Sequence, residues 1–476
     1  MNASDRVLRP GPGRRGERVR RLGWSVAAQG LSSGSNLALQ YGMLVALPAE
    51  RYGTFVVGAS GYYLALALGR AWIGEPLAAL GATGSTPAAG GAAAVDPHWT
   101  WPSVRRRAAL LGTVASAALA GFAVAVAATA GDGGVEIGAL AVALPMLLVQ
   151  DAGRSHLWSA RRARRVAAVD GVWLVAEGLA GAGWLALWWT TGAVPAGLAV
   201  VSSWVFGGAV SAVVADRLAG RVRPATTTVA GRASPSVAAT GDERRAVRSM
   251  GWSQTVLALD ANLWPSVVAA FTTPSVTATM RAAQVPFVPV ASVLGALRVV
   301  TLPGLRRAVM EGRVRSTAAR VVALNGVVAV AVGAAILFVL RLLPPAFLGE
   351  SGRLALPWYP LAGVVLAARM AAMPLSDVLS LGAGTVGVVR QRLLSTGLDL
   401  TATVTGAVLW GAGGALGAKA AAGVVTFGAW ATTVAVATSG PGPDRPVGSD
   451  SWSAALPPDP SLTPPVPTSS RTPTAG

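Results

Sequence analysis

The chain has 476 residues, of which 53% are hydrophobic and only 13% are charged, and its mean hydropathy is +0.53. Soluble domains carry about a quarter charged residues, and so long a chain with so little polar surface cannot cover a water-exposed exterior. The composition excludes an ordinary soluble enzyme and indicates an integral membrane protein. Cysteine is absent and only two histidines occur, so the sequence predicts no disulfide, no metal site and no cofactor.

Twelve apolar stretches follow one another along the chain. Each is about as long as a helix needs to be to cross a bilayer core of roughly 30 Å. None alternates with a period of two residues, so helices rather than barrel strands are predicted. The predicted spans are residues 24–47, 53–74, 108–130, 134–152, 167–189, 193–215, 250–272, 282–304, 318–340, 356–382, 393–411 and 416–438.

The basic residues give the predicted orientation of these spans. With the N-terminus placed in the cytoplasm, 31 of the 39 Lys and Arg residues fall in inner loops and tails and four fall in outer loops. This asymmetry is what the positive-inside rule requires. The sequence therefore predicts a multi-pass protein of the bacterial cytoplasmic membrane with both termini cytoplasmic.

The formal net charge of +18 is assigned to these inner loops and to contact with anionic lipid headgroups, and no nucleic-acid partner is predicted. Five regions are expected along the chain. They are a basic cytoplasmic arm (1–23), a first six-helix bundle (24–215), a cytoplasmic linker (216–249), a second six-helix bundle (250–438) and a disordered Pro-rich cytoplasmic tail (439–476).

An internal duplication supports the division into two bundles. Gly23-Trp24-Ser25 opens the first span and Gly251-Trp252-Ser253 opens the seventh, 228 residues later. Because six spans separate them, both halves begin on the same side, as in parallel repeats related by an axis along the membrane normal. Two such halves can rock against each other around a central cleft, which is the mechanical basis of alternating access.

Polar side chains within the spans are the main functional signal, because each costs free energy in hydrocarbon. In the first span five of them recur at steps of three or four, which places them on one helix face. That face either forms hydrogen bonds to neighbouring helices or lines a substrate cleft. Its members are Ser25, Gln29, Ser33, Asn36 and Gln40.

Several charged residues lie within spans, each with a structural and a functional interpretation. Asp260 lies in mid-span, either paired with Arg281 or Arg298 or lining the cleft and binding a coupling ion. Arg369 and Asp377, eight residues apart in the tenth span, are expected to form an intrahelical or an interhelical ion pair. Arg70 is expected to snorkel to the inner interface and Lys419 to the outer interface, whereas Asp170 is expected to pair with a nearby arginine.

Four motifs occur in order along these spans. They are Gln29-Gly-Leu-Ser-Ser-Gly-Ser-Asn36 followed by Tyr52-Gly53-x-Phe55; Gly69-Arg70-Ala71-x-x-Gly74-Glu75-Pro76-Leu77; Gln150-Asp151-x-x-Arg154 with Asp170-x-x-Trp173; and Arg281-Ala-Ala-Gln284 with Leu297-Arg298, Leu302-Pro303 and Leu305-Arg306. On twelve spans, this set resembles bacterial polysaccharide flippases of the multidrug/oligosaccharidyl-lipid/polysaccharide exporter superfamily. The resemblance is clearest over residues 22–310.

The resemblance implies an all-α membrane protein with about 12 transmembrane helices in two six-helix bundles around a central cleft lined by spans one, two, seven and eight. It implies flipping of an undecaprenyl-diphosphate-linked oligosaccharide, driven by an ion gradient, with membrane lipids and polysaccharide-synthesis enzymes as further candidate partners. The substrate pathway it implies comprises Gln29, Asn36, Arg70, Glu75, Asp260, Asn262, Arg281, Gln284 and Arg298.

Two other functions stay open at this point. One is a multidrug/cation antiporter of the same fold, for which Asp260 and Glu75 would supply acidic groups. The other is a non-transporting membrane scaffold for polysaccharide-synthesis enzymes. Enzymatic activity is not predicted, because the outer loops are short and no nucleotide-binding loop or pair of catalytic carboxylates occurs.

Overall fold

The computed structural model describes residues 12–77, 100–130, 133–160, 162–191, 195–222, 241–311, 313–382 and 384–438. Within these residues the chain is helical and contains no strand. The predicted Pro-rich tail and the first 11 residues lie outside the described residues, as do residues 223–240 of the predicted linker.

The first half contains six long helices. The second of them continues through a turn of π-helix, Arg70–Gly74. The helices are α1 (Pro12–Ala46), α2 (Ala49–Gly69), α3 (Trp101–Ala130), α4 (Gly134–Ser159), α5 (Ala163–Thr191) and α6 (Ala196–Gly220).

The second half also contains six membrane-length segments within its described residues, several of them interrupted. The first four segments are α7a (Gly241–Asn262) with α7b (Trp264–Phe271), α8a (Pro274–Gln284) with α8b (Val288–Met310), α9 (Val314–Leu342) and α10 (Tyr359–Gly382). The last two, α11 and α12, together span Gly384–Thr438 and are separated by a break at Trp410 and Gly411. A short helix, Gly349–Ala355, lies between α9 and α10.

Each of the twelve predicted spans overlaps a helix of the structure, and several of these helices extend past the predicted ends. α1 begins within the predicted basic arm, and α7a begins within the predicted linker. α11 begins at Gly384, nine residues before the predicted span. Apolar runs mark only the part of a helix that faces hydrocarbon, so a helix that continues beyond it is longer than the run.

Seven of the described helical stretches are long and apolar enough to cross a membrane by length and composition, and one of them combines α11 with α12. The segments outside this set are α1, α2, α7 and α8. These same four make the principal contacts between the two halves, with α2 against α7a and α8a, and α1 against α8b. A helix that faces a polar cleft needs less apolar surface than one surrounded by lipid.

The breaks in the second half occur where the sequence removes backbone donors or permits positive φ. α8a joins α8b through a 3₁₀ turn, Val285–Phe287, with prolines at 286 and 289, and proline cannot donate to the helical ladder. Gly411 adopts φ 63°, a conformation that glycine adopts without strain. Irregular backbone is tolerated at membrane depth when it is buried in protein, and Val285 is fully buried.

Candidate functional site: the interface between halves and a charged cavity

The two halves touch at the predicted outer end of the molecule. The backbone N–H of Ala49, at the start of α2, donates to the Glu350 carboxylate at 3.0 Å, and the Tyr41 hydroxyl donates to the carbonyl of Phe347. Gly53 approaches the backbone of α8a so closely that a Cβ there would lie 1.9 Å from the carbonyl oxygen of Pro274. The halves are therefore in direct backbone contact at this end.

A second contact lies at the predicted inner end. The Trp72 indole N–H donates to the Thr255 hydroxyl at 3.1 Å, and its ring meets that of Trp252 edge-on with centroids 5.5 Å apart. Between the two ends, Arg281 donates to the side-chain carbonyl of Gln40 at 2.7 Å. The structure thus holds the halves together at both ends.

A cavity of about 270 Å³ lies inside the second half, between α7a, α8b, α10, α11 and α12. Seven of its 19 lining residues are charged, four basic and three acidic. They are Asp260, Arg298, Arg369, Asp377, Arg392, Asp399 and Lys419. We call this space the charged cavity.

One layer of the charged cavity lies toward the predicted inner end. Arg298 donates two hydrogen bonds to the Asp377 carboxylate, from Nε at 2.9 Å and from Nη2 at 2.6 Å. Arg392, 94% buried, donates to the hydroxyls of Ser253 at 2.6 Å and Ser376 at 2.8 Å, and its Nε has no partner in the described part of the chain. Two guanidinium groups therefore face one carboxylate here, and we call these residues the inner layer.

The other layer lies at mid-membrane depth. Arg369 pairs with Asp260 and lies 4.0 Å from Asp399, which itself pairs with Lys419. The Lys419 ammonium also lies 5.7 Å from the ring centroid of Trp264. Two carboxylates and two cations balance in this middle layer.

The first half contains an ion pair of the same geometry as the one in the inner layer. Arg70 donates to Asp151 from Nε at 2.9 Å and from Nη2 at 2.8 Å, as Arg298 does to Asp377. The two arginines are 228 residues apart, the offset that separates the two Gly-Trp-Ser motifs. Each pair joins the second span of its half to the fourth.

The structure distributes the predicted pathway residues of the first half. Gln29 is exposed on α1, and Asn36 donates to the carbonyl of Ser32 in its own helix at 2.8 Å. Arg70 is held by Asp151. Glu75, half-buried after the π turn, interacts electrostatically with Arg298 and with Arg392 across the interface.

The predicted pathway residues of the second half fall into two groups. Asp260 and Arg298 both line the charged cavity. Arg281 lies at the interface, bonded to Gln40. Asn262 donates to the carbonyl of Ala258 in its own helix at 2.9 Å, and the Nε2 of Gln284 is buried with no partner among the described residues.

Two predicted side-chain environments were wrong, those of Asp260 and Lys419. Asp260 pairs with Arg369 rather than with Arg298 or Arg281, and Arg298 takes Asp377 instead. Arg369 and Asp377, eight residues apart on α10, each pair with a neighbouring helix, which confirms the interhelical form of the pairing expected for them. Lys419 is 2% exposed and bonded to Asp399, so it does not snorkel to the outer interface.

Two other predicted side-chain roles can be compared with the structure. Asp170 pairs with Arg154 at 2.8 Å, which confirms its expected arginine partner. Arg70 is half exposed but is fixed to Asp151, so its charge is neutralised by protein as well as by solvent at the interface.

Sequence reasoning missed Arg392 and Asp399 as members of the cavity. Arg392 directly precedes the apolar run at 393, so it was assigned to an inner loop as a topology signal. The structure starts α11 eight residues earlier and places Arg392 within the helix. Asp399 lies seven residues further along the same helix, and this i, i+7 spacing is the signal that could have linked the two.

A second cavity, about 460 Å³, lies in the first half between α1, α5 and α6. Its lining is mostly apolar, with Trp184, Trp188 and Leu185 on one side. One acid, Glu177, reaches it and accepts a short hydrogen bond from Ser35. This cavity therefore has one charged lining residue, whereas the charged cavity has seven.

No family model matches the sequence, and no curated protein matches it significantly. Solved structures do match in fold. A multidrug resistance MATE family transporter of the MOP superfamily in an inward-facing conformation has TM-score 0.55 and 12% identity over 84% of this chain and 92% of that one. An outward-facing structure of such a transporter gives TM-score 0.54 and 16% identity over 87% and 92%.

A MOP superfamily transporter from Pyrococcus furiosus, described for the reverse polarity of its binding pocket, gives TM-score 0.58 and 15% identity. The match covers 89% of this chain and 96% of that one. These likenesses establish the fold, an all-α multi-pass membrane architecture shared with transporters of this superfamily. They confirm the predicted fold class.

Proposed function

We propose that this chain is a membrane transporter that moves an amphipathic anion by alternating access, the cargo being an undecaprenyl-diphosphate-linked oligosaccharide. The observation that carries the proposal is the make-up of the inner layer, which contains two arginines, Arg298 and Arg392, and one carboxylate of the second half, Asp377. A diphosphate entering a low-dielectric space is prohibitively costly unless cations or donors meet it.

The position of Glu75 connects this charge to the movement of the halves. In the closed arrangement Glu75 of the first half interacts electrostatically with both arginines of the inner layer. When the halves separate at the predicted inner end, this carboxylate moves away with α2. The arginines then lose an anionic neighbour at the moment when the cleft opens to a cargo, which favours binding of an external anion.

The fold supports the mechanical part of the proposal. Structures of the same fold occur in inward-facing and outward-facing conformations, and the larger contacts between the halves here are made by α1, α2, α7, α8 and the short helix with its flanking turns. One structure of the same fold is described for the reverse polarity of its binding pocket. Proteins of this fold can therefore have binding pockets of different charge, which is compatible with an anion-binding pocket in this chain.

The test uses Arg392, because its guanidinium is hydrogen-bonded to two serines, Ser253 and Ser376, rather than to a carboxylate. In a strain that depends on this protein, Arg392→Gln should cause lipid-linked oligosaccharide to accumulate, whereas Arg392→Lys should retain part of the export. Arg390→Gln is the matched control, since Arg390 is exposed and lies on the same helix, two residues before Arg392. Normal export from well-expressed Arg392→Gln protein would contradict the proposed cargo site.

A second candidate function is favoured by the acidic side of the same cavity. Asp260, Asp377 and Asp399 all line it, and two of the fold neighbours are multidrug resistance transporters. A multidrug/cation antiporter would use these carboxylates. Loss of such a protein should sensitise cells to cationic drugs and leave lipid-linked oligosaccharide levels unchanged, the opposite of the first outcome.

A further inference from the structure

The middle layer contains a cation-binding arrangement that is already filled by the chain. The Asp399 carboxylate accepts the Lys419 ammonium, and Lys419 and Asp399 are 2% and 8% exposed. The ring of Trp264 lies 5.7 Å from the same ammonium. A carboxylate opposite an aromatic face is the chemical environment that recognises alkylammonium ions.

The remaining groups around Lys419 are also charged. Asp260 and Arg369 act on the ammonium electrostatically, Arg369 unfavourably and Asp260 favourably. Arg369 is held by Asp260, so Arg369 cannot fully neutralise Asp399, from which it lies 4.0 Å away. Without Lys419 the middle layer would hold two carboxylates against one guanidinium.

Such an excess negative charge in a buried site is costly and is relieved either by protonation of a carboxylate or by binding of a cation. The space vacated by Lys419 lies between the Asp399 carboxylate and the Trp264 ring. Its most direct match among cations is a small monovalent ion of the ammonium type.

We propose that Asp399 and Trp264 form a monovalent-cation site that the chain fills with its own Lys419, so that an external cation binds there only when this ammonium is removed. Lys419 is then a tethered counter-ion: it neutralises the middle layer in every conformation and it is not exchanged with solution. The intact protein consequently binds no external cation at this position. The inference does not depend on the identity of the cargo.

The experiment measures the melting midpoint of the purified full chain by tryptophan fluorescence, with ethylammonium chloride as the probe. Tetramethylammonium chloride at equal concentration controls for ionic strength, since this ion has no N–H to donate to Asp399 and is bulkier than ethylammonium. In Lys419→Ala, ethylammonium should raise the midpoint saturably, by about 2 °C or more. The unaltered chain should show no difference between the two salts.

Two variants provide matched controls. Lys419→Ala combined with Asp399→Asn removes both charges and should lose the ethylammonium response, while folding better than Lys419→Ala alone. Lys419→Arg keeps a tethered cation and should also show no response. If Lys419→Ala yields no folded protein from plain buffer, extraction with and without ethylammonium gives the same comparison through the yield of folded protein.

Two outcomes would overturn the inference. One is a saturable ethylammonium response in the unaltered chain, which would mean that the site is open to external cations while Lys419 is present. The other is folded Lys419→Ala protein, or its extracted yield, that responds equally to ethylammonium and tetramethylammonium. Either result leaves the proposed cargo site of the inner layer unaffected, because Arg298 and Arg392 are not altered.

Discussion

Arg298 and Asp377 form a two-pronged ion pair between α8b and α10, and their Ala variants should behave as a coupled unit. Each single variant leaves an unpaired charge beside the cavity and should lower the melting midpoint and the folded yield. The double variant should recover part of the loss, with a coupling free energy of about 0.5–3 kcal/mol in a double-mutant cycle.

The matched control is the pair Arg298→Ala and Asp260→Ala. These residues line the same cavity but bind different partners, so their coupling free energy should be smaller than that between Arg298 and Asp377. Strong coupling between Arg298 and Asp260, together with none between Arg298 and Asp377, would show that the pairing described here is not the one that stabilises the protein.

The sequence could predict that each charged residue within a span has an oppositely charged partner, but not which residue that partner is. The cost of charges within spans predicts that each has a partner, and Asp170 illustrates this. Which partner each takes depends on how the helices pack, and the sequence does not specify this. Asp260 and Arg369 are 109 residues apart, and nothing in their spacing distinguishes Arg369 from Arg298 as the mate of Asp260.

α2 and α8a cross at a glycine that allows their backbones to touch, and substitution there should separate the halves. A Cβ at Gly53 would lie 1.9 Å from the carbonyl oxygen of Pro274, whereas one at Gly61, two turns further along α2, would lie 3.6 Å from a Leu119 methyl. Gly53→Ala should therefore lower the melting midpoint measurably.

Gly61→Ala is the control on the same helix. It should be neutral or slightly stabilising, since alanine is a better helix former than glycine by about 1 kcal/mol. Equal midpoints for the two variants would mean that the backbone contact between α2 and α8a is not maintained in solution.

The orientation that the basic residues indicate stays a prediction. At the level of elements, apolar runs predicted twelve spans that each overlap a helical segment of the structure, because the membrane imposes length and polarity on each helix. These runs were insufficient at helix ends and at breaks. The start of α11 at Gly384 lies beyond its apolar run, so Arg392 was misassigned. The 3₁₀ turn at Val285–Phe287 contains and precedes prolines. Tertiary packing decides whether a proline breaks a helix or only bends it, so the sequence alone did not predict this break.

The two halves are in contact at both predicted ends of the molecule, and fixing the outer contact should abolish transport. The chain has no cysteine, so introduced thiols react without background. Ala49→Cys with Glu350→Cys, bridged by a short reducible bifunctional reagent, should abolish transport, and reduction should restore it, because alternating access requires this contact to open.

A bridge within one half provides the control for this experiment. The Ser116 hydroxyl donates to the carbonyl of Ala141 between α3 and α4, so Ser116→Cys with Ala141→Cys should cross-link without loss of transport. Full transport by protein whose Ala49–Glu350 bridge is complete would show that the halves do not separate at this end.

The π turn of α2 has a consequence for how relatives of this chain are compared. A turn of this kind accommodates one residue more than an α-helical turn, and one residue corresponds to about 100° of rotation around the helix. Trp72, which reaches the other half, lies within this turn. Against a homologue whose second helix is uninterrupted, the correct alignment would need a one-residue gap inside a membrane span, where alignment methods penalise gaps most. The motif around Gly69 and Glu75 would then be misaligned on one side of the turn even though the two helices superimpose.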